Sequence, residues 1–144
     1  MTINFDMDGT IADLYGVENW LDMLIAEDVT PYAIAKPLVN LAVLARILNR
    51  LQREGHEIAI ISWLSKNGTS EYNEAVTNAK IKWLHTHLPS VNWNKIIIVK
   101  HGTPKEQYCE NSLDILFDDE EQNRKNWNGV AYDVNKIIDT LKNL

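Results

Sequence analysis

Asp6 and Asp8 stand one residue apart at the end of a short apolar run, in the stretch Ile3-Asn4-Phe5-Asp6-Met7-Asp8-Gly9-Thr10. On a strand leaving a sheet, this spacing puts Asp6 at the tip and Asp8 just beyond it. Both acids then reach one small ligand in the crevice where open α/β sheets bind. One carboxylate could attack an electrophile while the other moves a proton. The simpler alternative is an Asp-Gly turn with both acids solvated. Two further runs also end in polar groups. Ile58-Ala59-Ile60-Ile61 leads into Ser62, Trp63 and the flexible Lys66-Asn67-Gly68-Thr69, and Ile115-Leu116-Phe117 leads into Asp118 and Asp119. Taken alone, a serine after a strand is a turn residue. Asp119, Glu120 and Glu121 would in any case favour a helix N-terminus.

The elements that must carry these residues alternate along the chain. Apolar runs at Ile3 to Phe5, Ile58 to Ile61, Ile96 to Val99, Ile115 to Phe117 and Val130 to Tyr132 read as five buried strands. Between them Leu38 to Arg53 carries Leu41, Leu44, Ala45, Leu48 and Leu51 on one helical face and stops at Gly55. Glu71 to Leu88 reads as a second helix ended by Pro89, with shorter helices after Pro104, after Asp119 and from Val134 to Leu141. The alternation predicts a mostly parallel sheet covered on both faces. Leu14 to Lys36 is left over, with a helix expected around Val17 to Ala26 and then a loop containing Pro31 and Pro37.

Composition narrows the function classes. With 144 residues, 45% of them hydrophobic, the chain suits one domain with a proper core and has no room for a second large one. A net charge of -6 argues against a nucleic-acid or anionic-lipid surface, so a phosphate partner must be handled locally by a metal and a few placed donors. The single cysteine, Cys109, is expected to pack in a reducing compartment. Met1 runs straight into a strand, with no basic leader or long apolar stretch, which leads to the expectation of a cytoplasmic protein without a membrane span. His56, His85 and His87 lack ligand spacing and are expected to be solvated.

The stretches FDMDGT, IIS and ILFDDEEQN, in that order, resemble the motifs of the haloacid dehalogenase (HAD) superfamily, and its phosphatase branch most closely. The resemblance runs from Asp6 to Asp119. It implies an α/β fold, a HAD-like Rossmannoid three-layer sandwich with a five-stranded mostly parallel sheet and a minimal cap. The first strand would be central, so that Asp6, Asp8, Ser62 and Asp118 converge. One domain spans 1–144, with residues 14–36 as a candidate minimal cap insertion. The family's phosphate-binding lysine falls on Lys105, after Thr103-Pro104, or on its competitor Lys100, which follows a strand directly beside His101. Asp8 discriminates within the superfamily, because phosphatases and phosphomutases keep an acid at that position.

The resemblance implies a magnesium-dependent phosphomonoester hydrolase. Asp6, the Asp8 carbonyl and Asp118 would hold Mg2+, Asp6 would attack phosphorus, and Asp8 would serve as acid and then base. Ser62, Lys105 and backbone N–H groups at Gly9 and Thr10 would hold the phosphoryl oxygens. Among small members, the chain resembles 5'(3')-deoxyribonucleotidases, from which it departs in its short cap region and in Trp63 after the motif serine. Trp63 and Trp20 are candidates for stacking a base, or else core residues. A small phosphorylated substrate such as a nucleotide is the expected partner. The alternatives are an open-site phosphatase for a nucleic-acid end or phosphoprotein, and a non-catalytic binding domain that kept the fold.

Overall fold

The computed structural model describes all residues, 1–144. Its centre is a five-stranded sheet of β1 (Thr2–Phe5), β4 (Glu57–Trp63), β5 (Lys95–Val99), β6 (Ile115–Phe117) and β7 (Val130–Tyr132). The strand order is β5-β4-β1-β6-β7 and every pairing is parallel. β1 is buried along its whole length, as a central strand covered on both faces must be. Of its two polar residues, Thr2 donates its hydroxyl to Glu57 at 3.3 Å and Asn4 donates to the Ile115 carbonyl at 3.1 Å. The chain crosses from one side of β1 to the other between β5 and β6, and this reversal opens a crevice at the carboxyl end of β1.

Alternate strand residues define two cores. Ile3, Phe5, Ile58, Ile60, Ile115 and Phe117 pack with α3 (Leu41–Arg53), the end of α4 (Ser70–His87) and α6 (Ile137–Lys142) in the larger one. Ile61 and Leu116 meet Trp127, Tyr108 and Cys109 in the other, beside α5 (Glu121–Asn126). α3 forms because Leu44, Leu48 and Leu51 share one face and the Asn40 side chain accepts from Val43 N at 3.1 Å. It ends at Gly55, whose φ of +96° a residue with a side chain would resist. The segment after Pro104 is a 3₁₀ helix, Lys105–Tyr108, rather than an α-helix. His87 packs against Trp83, with ring centres 4.3 Å apart, and so is not simply solvated.

Residues 14–36 hold more structure than one helix and a loop. A two-stranded antiparallel ribbon, β2 (Ala12–Asp13) with β3 (Lys36–Pro37), closes the base of this segment. Above it lie α1 (Trp20–Ile25) and α2 (Thr30–Ile34), where Pro31 sits in the first turn and starts a helix instead of interrupting one. Leu14 and Tyr32 join Tyr72 and Val76 of α4 in a small core of their own. No helix is long and apolar enough to cross a membrane.

Candidate active site

The residues at the carboxyl ends of β1, β4 and β6 are brought level by the ladder itself. Phe5 pairs with Ile60 and Phe117, and Asp6 N donates to the Phe117 carbonyl at 2.9 Å, so Asp6 and Asp118 emerge side by side. After Asp6 the chain coils into a tight turn in which the N–H groups of Thr10, Ile11 and Ala12 all point at the Met7 carbonyl. Gly9 takes φ +80° there, and a Cβ on it would collide with the Asp119 carboxylate. The turn therefore needs glycine twice over, for its backbone and for the acid packed against it.

Two buried lysines neutralise the acids. The Lys105 ammonium donates to Asp6 Oδ1 at 2.9 Å and to Asp118 Oδ2 at 2.7 Å. Burial alone would lower its pKa, but the two carboxylates outweigh burial and hold it above the ordinary lysine value. Asp6 Oδ2 accepts from the Thr10 hydroxyl at 2.9 Å. The second lysine, Lys80 of α4, spends its three donors on Asp8 Oδ2 at 2.9 Å, Ser62 Oγ at 2.6 Å and the Trp63 carbonyl at 2.6 Å. Burial raises the Asp8 carboxyl above the usual carboxylate range, with Lys80 pulling it back and Asp6 adding repulsion.

Above these groups lies a cavity of about 390 Å³. Asp6, Asp8, Lys105, Asp118 and Asp119 line its floor, and Tyr15, Trp20, Leu24, Tyr32 and Trp63 contribute to its walls. The structure thus brings Asp6, Asp8, Trp63, Lys105 and Asp118 to one space, with Trp20 across from them. Lys105, not Lys100, reaches the carboxylates; Lys100 is exposed, while His101 lines the cavity beside Trp63. Ser62 sits below the floor, wholly buried, with its hydroxyl held by Lys80. The N–H groups of Gly9 and Thr10 correct an expectation. They are consumed inside the turn, by the Ala12 and Met7 carbonyls, and so are not the free phosphoryl donors that the sequence suggests.

Sequence reasoning missed Lys80. Its signal was present, because Tyr72, Val76 and Lys80 follow one another at four-residue spacing on the buried face of α4, with Trp83 and Leu84 completing the stripe. A lysine on an otherwise apolar stripe must find acceptors, and here they are in the site. Asp119 was also left without a role. Its carboxylate lies with those of Asp6 and Asp118 in one group whose ligand atoms are all within 4.8 Å of one another.

That trio fits a hard divalent cation such as magnesium, which takes carboxylate oxygens. Burial and the Asp6 charge push Asp118 up to about 6, and push Asp119 up to about 8. Three acids facing a single ammonium hold more negative charge than the pocket can stabilise, and a cation would relieve the excess.

The parallel sheet with helices on both faces, and the acids at the end of its central strand, define a phosphatase of the HAD class. The fold is shared with the crystal structure of D,D-heptose 1,7-bisphosphate phosphatase from Burkholderia thailandensis, with a TM-score of 0.52 and 16% identity over 86% of this chain and 69% of that one. More particularly, the chain belongs to the family described as 5' nucleotidase, deoxy (pyrimidine), cytosolic type C protein, whose model matches residues 32–141. No curated protein matches the sequence.

Proposed function

We propose that this protein is a magnesium-dependent cytoplasmic phosphomonoester hydrolase that acts on a small nucleotide through an aspartyl-phosphate on Asp6. In this reading the protein is one domain with residues 14–36 as a minimal cap. The observation that carries the proposal is the placement of Asp6 and Asp8 on the floor of a single cavity, each paired with its own buried lysine. Asp6, Asp118, Asp119 and the Asp8 carbonyl would hold Mg2+, which when bound offsets the negative charge of the phosphate and of the acids. Asp6 attacks phosphorus and the bond to the leaving oxygen breaks, while Asp8 gives that oxygen its proton. Asp8 then takes a proton from the water that attacks the phosphoryl group, the bond to Asp6 breaks, and inorganic phosphate leaves. Lys105 stabilises the charge spreading over the phosphoryl oxygens. Ser62 accepts from Lys80 and so helps to hold the lysine that pairs with Asp8, and Thr10 orients Asp6 by its hydroxyl.

A small substrate is favoured because α1 and α2 roof the site, leaving a volume suited to a nucleoside rather than to a macromolecule. Tyr15, Trp20 and Trp63 supply flat apolar walls for a base. The test is phosphate release from nucleoside monophosphates, sugar phosphates and phosphopeptides, with and without magnesium, by wild type and Asp6→Asn. The expected result is magnesium-dependent hydrolysis of nucleotides and a folded, inactive mutant. Near-normal turnover by folded Asp6→Asn would overturn the nucleophile, and full activity in EDTA would overturn the metal.

A further inference from the structure

Lys105 is presented by a tight turn followed by a single short turn of 3₁₀ helix. Thr103 N and Oγ1 both donate to the Lys100 carbonyl, at 3.1 and 2.6 Å, and Gly102 takes φ +86°, which closes a tight turn. Pro104 follows, and Lys105 then opens a four-residue 3₁₀ helix with no side-chain cap. One short turn of this kind cannot fix its own direction. Two of the three Lys105 donors go to Asp6 and Asp118, and the third has no hydrogen-bond partner in the fold.

Trp63, at the end of β4, grips this loop at two points. Its Nε1 donates to the Thr103 carbonyl at 2.8 Å. Its ring lies under the Lys105 ammonium, with Nζ 5.2 Å from the ring centre. His101, from the same loop, packs against the indole with ring centres 4.9 Å apart. A cation over an indole face is attracted by the ring quadrupole, most strongly where water is excluded, and Lys105 is almost wholly buried. The indole thus holds both the backbone just before the lysine and the charged end of its side chain.

We propose that Trp63 is a positioning residue for phosphoryl transfer, acting through Lys105, beyond any contact it makes with the leaving group. The inference rests on the phosphatase reading above. A residue that only stacked a base would raise KM for nucleotides and leave kcat alone, because it binds ground state and transition state equally. A residue that aims Lys105 must instead change kcat for every monoester, including one with no ring to stack.

The experiment is a double-mutant cycle of Trp63→Leu and Lys105→Ala, assayed with magnesium on a nucleoside monophosphate and on glycerol phosphate. Trp63→Leu is expected to lower kcat about 5- to 30-fold on both substrates. In the Lys105→Ala background it is expected to cost less than about 2-fold more, since the group it positions is gone. Trp63→Phe keeps the ring and loses the N–H, and is expected to lose less than Trp63→Leu, about 2- to 5-fold. Should Trp63→Leu fail to fold by circular dichroism, Trp63→Phe takes its place in the cycle, with a loss of about 2- to 5-fold that vanishes without Lys105. Losses that multiply in the double mutant, or a rise in nucleotide KM alone, would overturn the inference while leaving the phosphatase reading intact. A wild-type protein inactive on all monoesters would overturn that reading and this inference with it.

Discussion

Lys80 is the residue whose burial demands the most explanation. It is only 1% exposed, and it survives there because its three donors meet a carboxylate, a hydroxyl and a carbonyl. Lys80→Met would leave Asp8 facing an apolar group, and a buried ion pair broken from one side typically costs about 3 kcal/mol, readable in a urea titration. The kinetic expectation follows from what Lys80 holds. Asp8→Asn should slow hydrolysis on the order of 10²- to 10⁴-fold for alkyl phosphates and less for aryl phosphates, whose leaving groups need no proton. Lys80→Met should show the same preference with a smaller loss, because it displaces the acid without removing it. An equal loss on both substrate types would mean that Lys80 acts on the phosphoryl group directly and not through Asp8.

At the scale of elements, α2 is held on α4 by Tyr32 in their shared small core, whereas α1 depends on polar anchors at the start of α4. α1 buries none of its residues, and Leu21 and Ile25 are largely exposed. The turn between the two helices is fastened instead. Glu27 accepts from Thr69 N at 2.9 Å and from Thr69 Oγ1 at 2.8 Å, and the Asp28 carbonyl accepts from Tyr72 Oη at 2.9 Å. Glu27 takes φ 57°, a conformation that glycine adopts freely, so Glu27→Gly removes the clamp without adding backbone strain. It is expected to raise nucleotide KM by about 5- to 20-fold with kcat within a factor of about 2, since only uniform binding by the roof is weakened. A kcat loss with unchanged KM in steady-state kinetics would rule this out. The same elements show what the sequence could reveal. All five sheet strands were legible because strands of a covered parallel sheet are continuous apolar runs, and Ile115–Phe117 and Val130–Tyr132 fall where those runs predict. The edge strands β5 and β7, expected to be buried, are only partly so. The second roof helix was not, because Pro31 breaks a helix interior but suits a first turn, and sequence alone does not say which it is. Asp6, Asp8 and Asp118 were visible as strand-end acids, whereas Lys80 comes from mid-helix and reaches the site only through the packing of α4 on β4.

Over the whole molecule, charge is arranged in opposition. The chain carries a net -6, yet its two most buried lysines stand in the site. An extended polyanion would meet repulsion from the surface, while a small phosphate that enters the cavity would meet the Lys105 ammonium on its floor and, in the proposed reading, a bound cation. If the acid trio of Asp6, Asp118 and Asp119 holds the proposed cation, it would tie cation binding to folding, because the unfolded chain has no such group to bind it. Magnesium at about 100 times its dissociation constant should add roughly 2.7 kcal/mol of stability, a rise of about 5 to 10 °C in Tm for a chain of this size. Asp119→Asn should remove most of that rise, which calorimetry or a thermal shift measures without any substrate. Calcium separates binding from chemistry. It is also a hard cation with oxygen ligands and should raise Tm, but its larger and looser coordination shell would misplace the nucleophile, so turnover should stay far below the magnesium rate. A Tm indifferent to millimolar magnesium, or unaltered by Asp119→Asn, would show that the trio is not the cation site and would leave Lys105 as its only counter-charge.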